Sequence, residues 1–245
     1  MKSNPKISII VATYNAGDAL KKTLANISLQ EYSPIELIVI DGASKDHTHE
    51  VIKEYAHKIA YSISEKDRGI PDAYNKGIAA ATGDWIYFLN ADDIFVTDHV
   101  LADIFSNTEI AETLVVGKVV SDQGRVFDGI FSWPLMIRNQ VHHQAIFYRA
   151  DFIKQMPYNA DYKRYGHDHE HNIKIWQRGI NVKYVNEEVA LWASGGISDS
   201  ANWHDYKEEF RIRRNCFGLF GRSFNIFTYL RYYGKNLKRK FIPSN

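Results

Sequence analysis

A mixed α/β fold on a mainly parallel sheet is the class this sequence predicts, and three observations carry the prediction. Short apolar runs alternate with helix-periodic segments through roughly the first hundred residues. Each run is followed by a polar loop containing Gly or Asp. The fourth run, Trp85-Ile86-Tyr87-Phe88-Leu89, ends in Asn90-Ala91-Asp92-Asp93, which puts two adjacent carboxylates at the edge where open α/β sheets bind ligands.

Taken in order, Ile7 to Ala12 reads as a buried strand and Thr13-Tyr14-Asn15-Ala16-Gly17 as its turn. Leu20, Leu24, Ile27 and Ser28 then recur at helical spacing across residues 18 to 30. Glu36 to Ile40 is a second buried strand, closing on Asp41-Gly42-Ala43-Ser44-Lys45-Asp46. A helix from about Thr48 to His57 and a strand from Ile59 to Ile63 follow. Strands separated by helices imply parallel pairing through right-handed crossovers. The next loop, Ser64 to Ile70, contains Asp67 and feeds a helix with Asp72, Tyr74, Asn75 and Lys76 that ends near Thr82-Gly83.

Beyond residue 97 the alternation weakens. A helix is expected from Thr97 or Asp98, and Leu114 to Val120 with Arg125 to Asp128 as an antiparallel pair around Asp122-Gln123-Gly124. Ala145 to Tyr148 is a short strand after His142-His143-Gln144, and Asp168 to Arg178 is a helix. Val182 to Val185 and Val189 to Ala193 read as two strands, and Gly195-Gly196-Ile197-Ser198 as a loop.

A chain of 245 residues with 45% hydrophobic side chains suits one large domain, or a domain with an appendage. The single cysteine, Cys216, excludes an internal disulfide framework and reads as a packing residue. The amino terminus lacks a secretory pattern, and no apolar run reaches the length of a bilayer, so a cytoplasmic location is expected. Net charge is only +1 but unevenly spread: residues 211–245 carry nine Lys/Arg and no Asp/Glu, leaving 21 basic against 29 acidic residues before them, a formal −8. In that tail Phe220, Phe224, Phe227, Leu230, Leu237 and Phe241 form a helical stripe flanked by Arg222, Arg231, Lys235, Lys238, Arg239 and Lys240. A basic, aromatic amphipathic helix suggests an anionic membrane surface, against docking on the domain or a homodimer contact. The acidic body and the lack of a recognition motif argue against nucleic acid.

Two adjacent carboxylates repel unless a cation sits between them and a ligand, so a divalent metal holding a phosphate suits Asp92 and Asp93. The competing reading makes one of them the N-cap of the helix near Thr97. The turn after the first strand has no Gly-x-Gly-x-x-Gly and there is no Walker loop, which excludes those phosphate cradles. In His167-Asp168-His169-Glu170-His171 only His167 and His171 share a helix face, a weak zinc pattern.

These pieces resemble a family 2 glycosyltransferase of the GT-A fold, the bacterial sugar transferases that build surface polysaccharides such as lipopolysaccharide. The matching segments are Ser8 to Asn15, Ile38 to Asp46, Glu65 to Asp93, His143-Gln144 before a strand, Asp168 at a helix start, and Gly195-Gly196-Ile197-Ser198. The likeness spans about residues 6 to 200. It implies a GT-A domain over 1–210, with a nucleotide-sugar half to about 97 and an acceptor half over 98–210, and a helical tail over 211–245. By resemblance, Ala12, Tyr14 and Asp41 hold the nucleoside, while Asp67, Asn75 and Lys76 face the nucleotide-sugar. The motif known as DXD reads Asn90-Ala91-Asp92 here, so manganese or magnesium is expected chiefly on Asp92, with Asp93 in support. His143, Gln144 and Glu170 are expected on the acceptor or phosphate side, and Asp168 as catalytic base. Where relatives carry Gly-Ile-Tyr-Asp, this chain has Gly69-Ile70-Pro71-Asp72.

The reaction implied is an inverting transfer from a nucleotide-sugar, expected to be linked to uridine diphosphate, to a saccharide or lipid-linked saccharide acceptor. The metal offsets leaving-group charge while the acceptor hydroxyl loses its proton to a carboxylate. A lipid-linked acceptor would place the protein peripherally on the inner face of the cell membrane. The alternative, to which Asn90 lends support, is a non-catalytic nucleotide-sugar-binding or scaffold protein of the same fold.

Overall fold

The computed structural model describes residues 4–106, 108–162, 165–193 and 202–241, with side chains to Gly234. Strands β1 (Ile7–Thr13), β2 (Ile35–Asp41), β3 (Ile59–Ser64) and β4 (Trp85–Asn90) alternate with helices α1 (Gly17–Ile27), α2 (Thr48–Glu54) and α3 (Ile70–Ala80). β1 runs parallel to β2, pairing Thr13 with Asp41, and parallel to β4, pairing Ala12 with Asn90. Their carboxyl ends therefore lie level at one edge, and the strand order turns back between β1 and β4, where such sheets open a crevice.

β1 is buried on both faces, with Ile7, Ile9, Ile10 and Val11 fully inaccessible, as its unbroken apolar run requires. Leu20, Leu24 and Ile27 form the buried stripe of α1. α3 carries Pro71 in its first turn and rests against β1 at Gly77, where a Cβ would lie 2.4 Å from the Ile10 Cγ2. Only glycine admits that approach.

The second half extends the same sheet. β5 (Ile94–Phe95), α4 (Val100–Phe105), β6 (Leu114–Ser121), β7 (Val126–Phe127), β8 (Ile146–Arg149), α5 (Ala150–Gln155), α6 (His167–Gln177), β9 (Val182–Trp192), α7 (Trp203–Gly221) and α8 (Asn225–Phe241) follow in order. The nine strands described form one sheet ordered β3-β2-β1-β4-β8-β6-β9-β5, with β7 paired to β6. β8 is antiparallel to β4, with Tyr87 opposite Phe147. Its entry, the His142-His143-Gln144 segment, is thereby delivered to the edge where β4 ends.

Several elements differ from the sequence expectation. β9 is one strand, because the polar Asn186-Glu187-Glu188 interruption coincides with register shifts against β6 around Gly117, and Lys118 binds the Asn186 side chain at 2.6 Å. β5 and α5 are too short to stand out by periodicity. Because β5 intervenes, neither Asp92 nor Asp93 caps α4, whose cap is His99. The expected tail boundary at 211 falls inside α7, which begins with an Asn202–Asp205 capping box and kinks at Gly218. The Gly195-Gly196-Ile197-Ser198 loop lies outside the described residues, as do the side chains of Lys235, Leu237, Lys238, Arg239, Lys240 and Phe241.

Candidate active site

A cleft of about 800 Å³ opens at the carboxyl edge of β1 and β4 and runs toward α6 and the α7–α8 hairpin. Ala12, Tyr14, Asp67, Asn90, Ala91, Asp92, Asp93, His143, Gln144 and Asp168, all singled out in the sequence, line it together.

The turn after β4 is clamped from α1. Buried Thr23 accepts a hydrogen bond from the Asp92 amide at 3.2 Å and donates to the Asp93 carbonyl at 2.9 Å. Asp92 takes φ +99°, a backbone setting unfavourable for a residue with a Cβ and found where a site holds strain. Its carboxylate is exposed, whereas Asp93 is 4% exposed. The Asp93 carboxylate accepts from Gln144 Nε2 at 2.6 Å and from the Ala193 amide at 3.4 Å. Burial pushes its carboxyl up to about 6 despite those bonds.

Asn90, where the resembled motif has an acid, is occupied on both sides. Its Oδ1 accepts from the Tyr74 hydroxyl at 2.6 Å and its Nδ2 meets His143 Nε2 at 3.1 Å. Since an amide nitrogen only donates, His143 accepts there and carries its proton on Nδ1. Burial pushes this imidazole down to about 3, in keeping with that neutral form.

Asp168 sits in the first turn of α6, where helix-terminal amides favour an anion. It accepts from Asn139 Nδ2 at 2.7 Å and from the His169 amide at 2.8 Å. Asn139 is itself held by Asn172, which also donates to the Val141 carbonyl. Desolvation disfavours the Asp168 carboxylate, but the facing His167, His143 and His169 outweigh it and hold the carboxyl below its ordinary range. Asp168 is thus ionised at neutral pH, with each oxygen held by one donor. His167 lines the cleft beside it, 6% exposed, and burial pushes its imidazole down.

At the other end, Tyr14 is exposed and Thr13 presents a buried hydroxyl without a partner among the described residues. A Cβ on Gly42 would lie 2.8 Å from Asp67 and 3.2 Å from Tyr14, so those two side chains converge over that glycine. Asp41 stands level with them but points into the fold, accepting from Ser44 and Ser64. Asn75 does not reach the cleft: its side chain brackets the Tyr158 backbone at 2.8 and 2.9 Å. Lys76 pairs with Glu65 at 2.9 Å, and Glu170 is buried on the far side of α6 against Lys174, also at 2.9 Å.

The histidines do not converge as a zinc site. His169 donates to the Leu135 carbonyl and His171 to that of Met156. Burial pushes the Cys216 thiol up to about 12, as suits a packing residue. Among the described residues no three His, Cys, Asp or Glu side chains form a metal cage. With Asn90 and Asp93 committed to neighbours, Asp92 is the available carboxylate of the turn. That donor set fits magnesium or manganese completed by substrate phosphates and water, and does not fit an all-protein site.

Residues that the sequence did not flag complete the cleft. Asn139 orients Asp168 from a loop with no local signal, and Tyr165 and Tyr206 form a wall beside Arg231. Arg231, named in the sequence as a flank of the tail's apolar stripe, pairs with buried Glu209 at 3.0 Å. Glu209 also binds Thr228 at 2.6 Å and fully buried Arg213 at 3.0 Å, and Arg213 donates onward to the Met136 and Ile137 carbonyls.

Comparison with known proteins agrees with this arrangement. The family model described as Glycosyl transferase family 2 matches residues 8–153. A "PGL/p-HBAD biosynthesis glycosyltransferase" of Mycobacterium bovis is 31% identical over 206 residues, covering 80% of each chain. Among solved structures, S. aureus TarS 1–349 in complex with UDP-GlcNAc superposes with a TM-score of 0.67 at 15% identity, over 98% of this chain and 76% of that one. The mannosyltransferase PcManGT of Pyrobaculum calidifontis, in complex with GDP-Man and Mn2+, gives 0.63 at 16% identity, over 99% and 77%. These likenesses carry the GT-A fold.

Proposed function

Since the chain belongs to glycosyl transferase family 2 and is a glycosyltransferase, we propose that its cleft moves a sugar with inversion from a nucleoside diphosphate to a saccharide hydroxyl. The observation that carries this reading is one cleft with exposed Asp92 on the sheet-edge wall and ionised Asp168 on the α6 wall. Thr13, Tyr14 and Asp67 receive the nucleoside end. Uridine diphosphate is the donor group we favour, by the likeness to TarS, although the mannosyltransferase complex holds a guanosine donor.

Asp92 would hold a divalent ion on the diphosphate, and that ion supplies charge compensation for the leaving group. Asp168 accepts the proton of the acceptor hydroxyl as its oxygen attacks the anomeric carbon from the face opposite the diphosphate. Asn139 and the His169 amide hold the carboxylate for that transfer. Gln144 and His143 brace the sheet-edge wall through Asp93 and Asn90.

Incubation with radiolabelled sugar nucleotides and manganese tests the assignment. Wild-type protein is expected to hydrolyse or transfer from one of them, and Asp168→Ala to lose ~10²–10⁴ of the rate while still binding the nucleotide. Full activity in Asp168→Ala would refute the role. We further propose a lipid-linked acceptor, supported by the exposed Leu219, Phe220, Ile226, Leu230 and Tyr233 on the α7–α8 hairpin and the tail's positive charge. Among the described residues no helix is long and apolar enough to cross a membrane, so this contact would be peripheral.

A further inference from the structure

Buried polar side-chain atoms without partners are rare in folded proteins, because each has lost its hydration and gained no hydrogen bond in return. In this molecule they gather at the cleft. Both ring nitrogens of His167 and Nε2 of Gln140 are buried without a partner among the described residues, and both residues line the cleft next to Asp168. His167 packs edge-on to Tyr74 and Tyr158, with ring centroids 6.1 and 5.7 Å away. Its position is therefore fixed while its polar atoms are unmet.

We propose that the end of the cleft between Gln140, His167, Tyr206 and Arg231 is the subsite for the acceptor sugar, where His167 and Gln140 hydrogen-bond hydroxyls of that sugar. This rests on the transferase reading above and names residues that would set its acceptor specificity.

The chemistry of the unmet atoms selects the ligand. A neutral imidazole offers one donor and one acceptor, and a carboxamide nitrogen offers donors. Hydroxyls match both, because each can donate and accept. A carboxylate or phosphate would call for a free cation, but the Arg231 charge is already shared with Glu209. Arg231 also lies 5.5 Å over the Tyr206 ring, so the hairpin wall is held in place and its charge is shared within the fold. Position selects acceptor over donor: His167 directly precedes Asp168, which takes the acceptor proton, whereas the diphosphate belongs at Asp92 on the opposite wall. A site built to bond a hydroxyl discriminates strongly, since a substrate lacking it leaves buried groups unpaired.

The test uses the full chain with a panel of p-nitrophenyl glycosides as acceptors and uridine diphosphate sugars as donors. His167→Phe preserves the packing on Tyr74 and Tyr158 and removes both nitrogens, and Gln140→Leu removes the amide from a loop. Each is expected to raise the acceptor KM ~10-fold or more with the sugar-nucleotide KM within about 2-fold, and His167→Asn to restore part of the loss. Saturation-transfer NMR of the glycosides with uridine diphosphate present reads the same subsite without turnover, and the signal is expected to vanish in both variants. Unchanged acceptor KM and NMR signal in both variants, or acceptor and nucleotide binding falling together, would overturn the subsite. If wild-type protein turns over no sugar nucleotide yet holds glycosides in a His167-dependent way, the transferase reading fails and the subsite stands.

Discussion

At the scale of single residues, the Asn90-Ala91-Asp92-Asp93 turn divides its work by burial. Asp92 is exposed and strained outward, while Asp93 is sealed beneath Gln144 and titrates near 6 instead of its ordinary 3.8. A carboxyl with a raised folded pKa keeps its proton longer in the folded state, so folding gains at low pH and loses as pH climbs through that window. Stability of the metal-free protein is therefore expected to fall by up to ~3 kcal/mol between about pH 4 and pH 6 on account of this group. Urea unfolding of wild type against Asp93→Asn at pH 4, 5, 6 and 7 reads it, and a constant difference across that range would contradict it. Asn90 also makes sense at this scale. An Asp there would set a second anion beside Asp93 and offer no donor to His143 Nε2, so the amide satisfies two partners that a carboxylate would leave in conflict. The sequence marked Asn90 as a departure but could not show its partners, because Tyr74 and His143 lie 16 and 53 positions away.

At the scale of elements, what was legible follows from local pattern. β1, β2 and β4 are unbroken apolar runs, and α1 and α6 have spacing or a polar first turn, so their positions and the place of Asp92 at the sheet edge could be read directly, while Asp168 was brought to the site by the family resemblance. β9 was split because its polar middle has an antidote only in three dimensions, the register shift opposite Gly117. The inner face of the hairpin was hidden for the same reason. Arg231 stood out only as a flank of the tail's apolar stripe and Arg213 only as part of the tail's positive charge, yet both close on Glu209 and Thr228 inside the fold. Removing one member of such a cluster strands the others, so Glu209→Ala is expected to cost ~3–5 kcal/mol, seen as a lower midpoint in thermal or urea unfolding. A midpoint shift equivalent to less than ~1 kcal/mol would show that Arg213 and Arg231 find other partners.

At the scale of the whole molecule, an acidic body carries a hairpin with two faces. One face is tied to the cleft through Glu209, and the other exposes Leu219, Phe220, Leu230 and Tyr233. This division makes truncation a poor probe of membrane binding, because removing α8 also removes Thr228 and Arg231 from the core. Serine at Leu219, Phe220 and Leu230 leaves that core in place. Such a variant is expected to lose flotation with phosphatidylserine vesicles at least several-fold, with wild-type binding weakened by salt. Equal flotation of the two proteins would remove the membrane contact from the proposal.

The grip of Arg213 and Arg231 on the Met136 and Ile137 carbonyls has a consequence in time as well as in space. A chain is synthesised from its amino end, so the sheet and Asp168 exist before the side chains that fasten the loop carrying Asn139. A nascent chain halted short of residue 231 would own Asp92 and Asp168, the carboxylates proposed for the reaction, and lack one wall of the cleft they line. That wall therefore waits for α8, long after the strands that define the floor of the cleft are made.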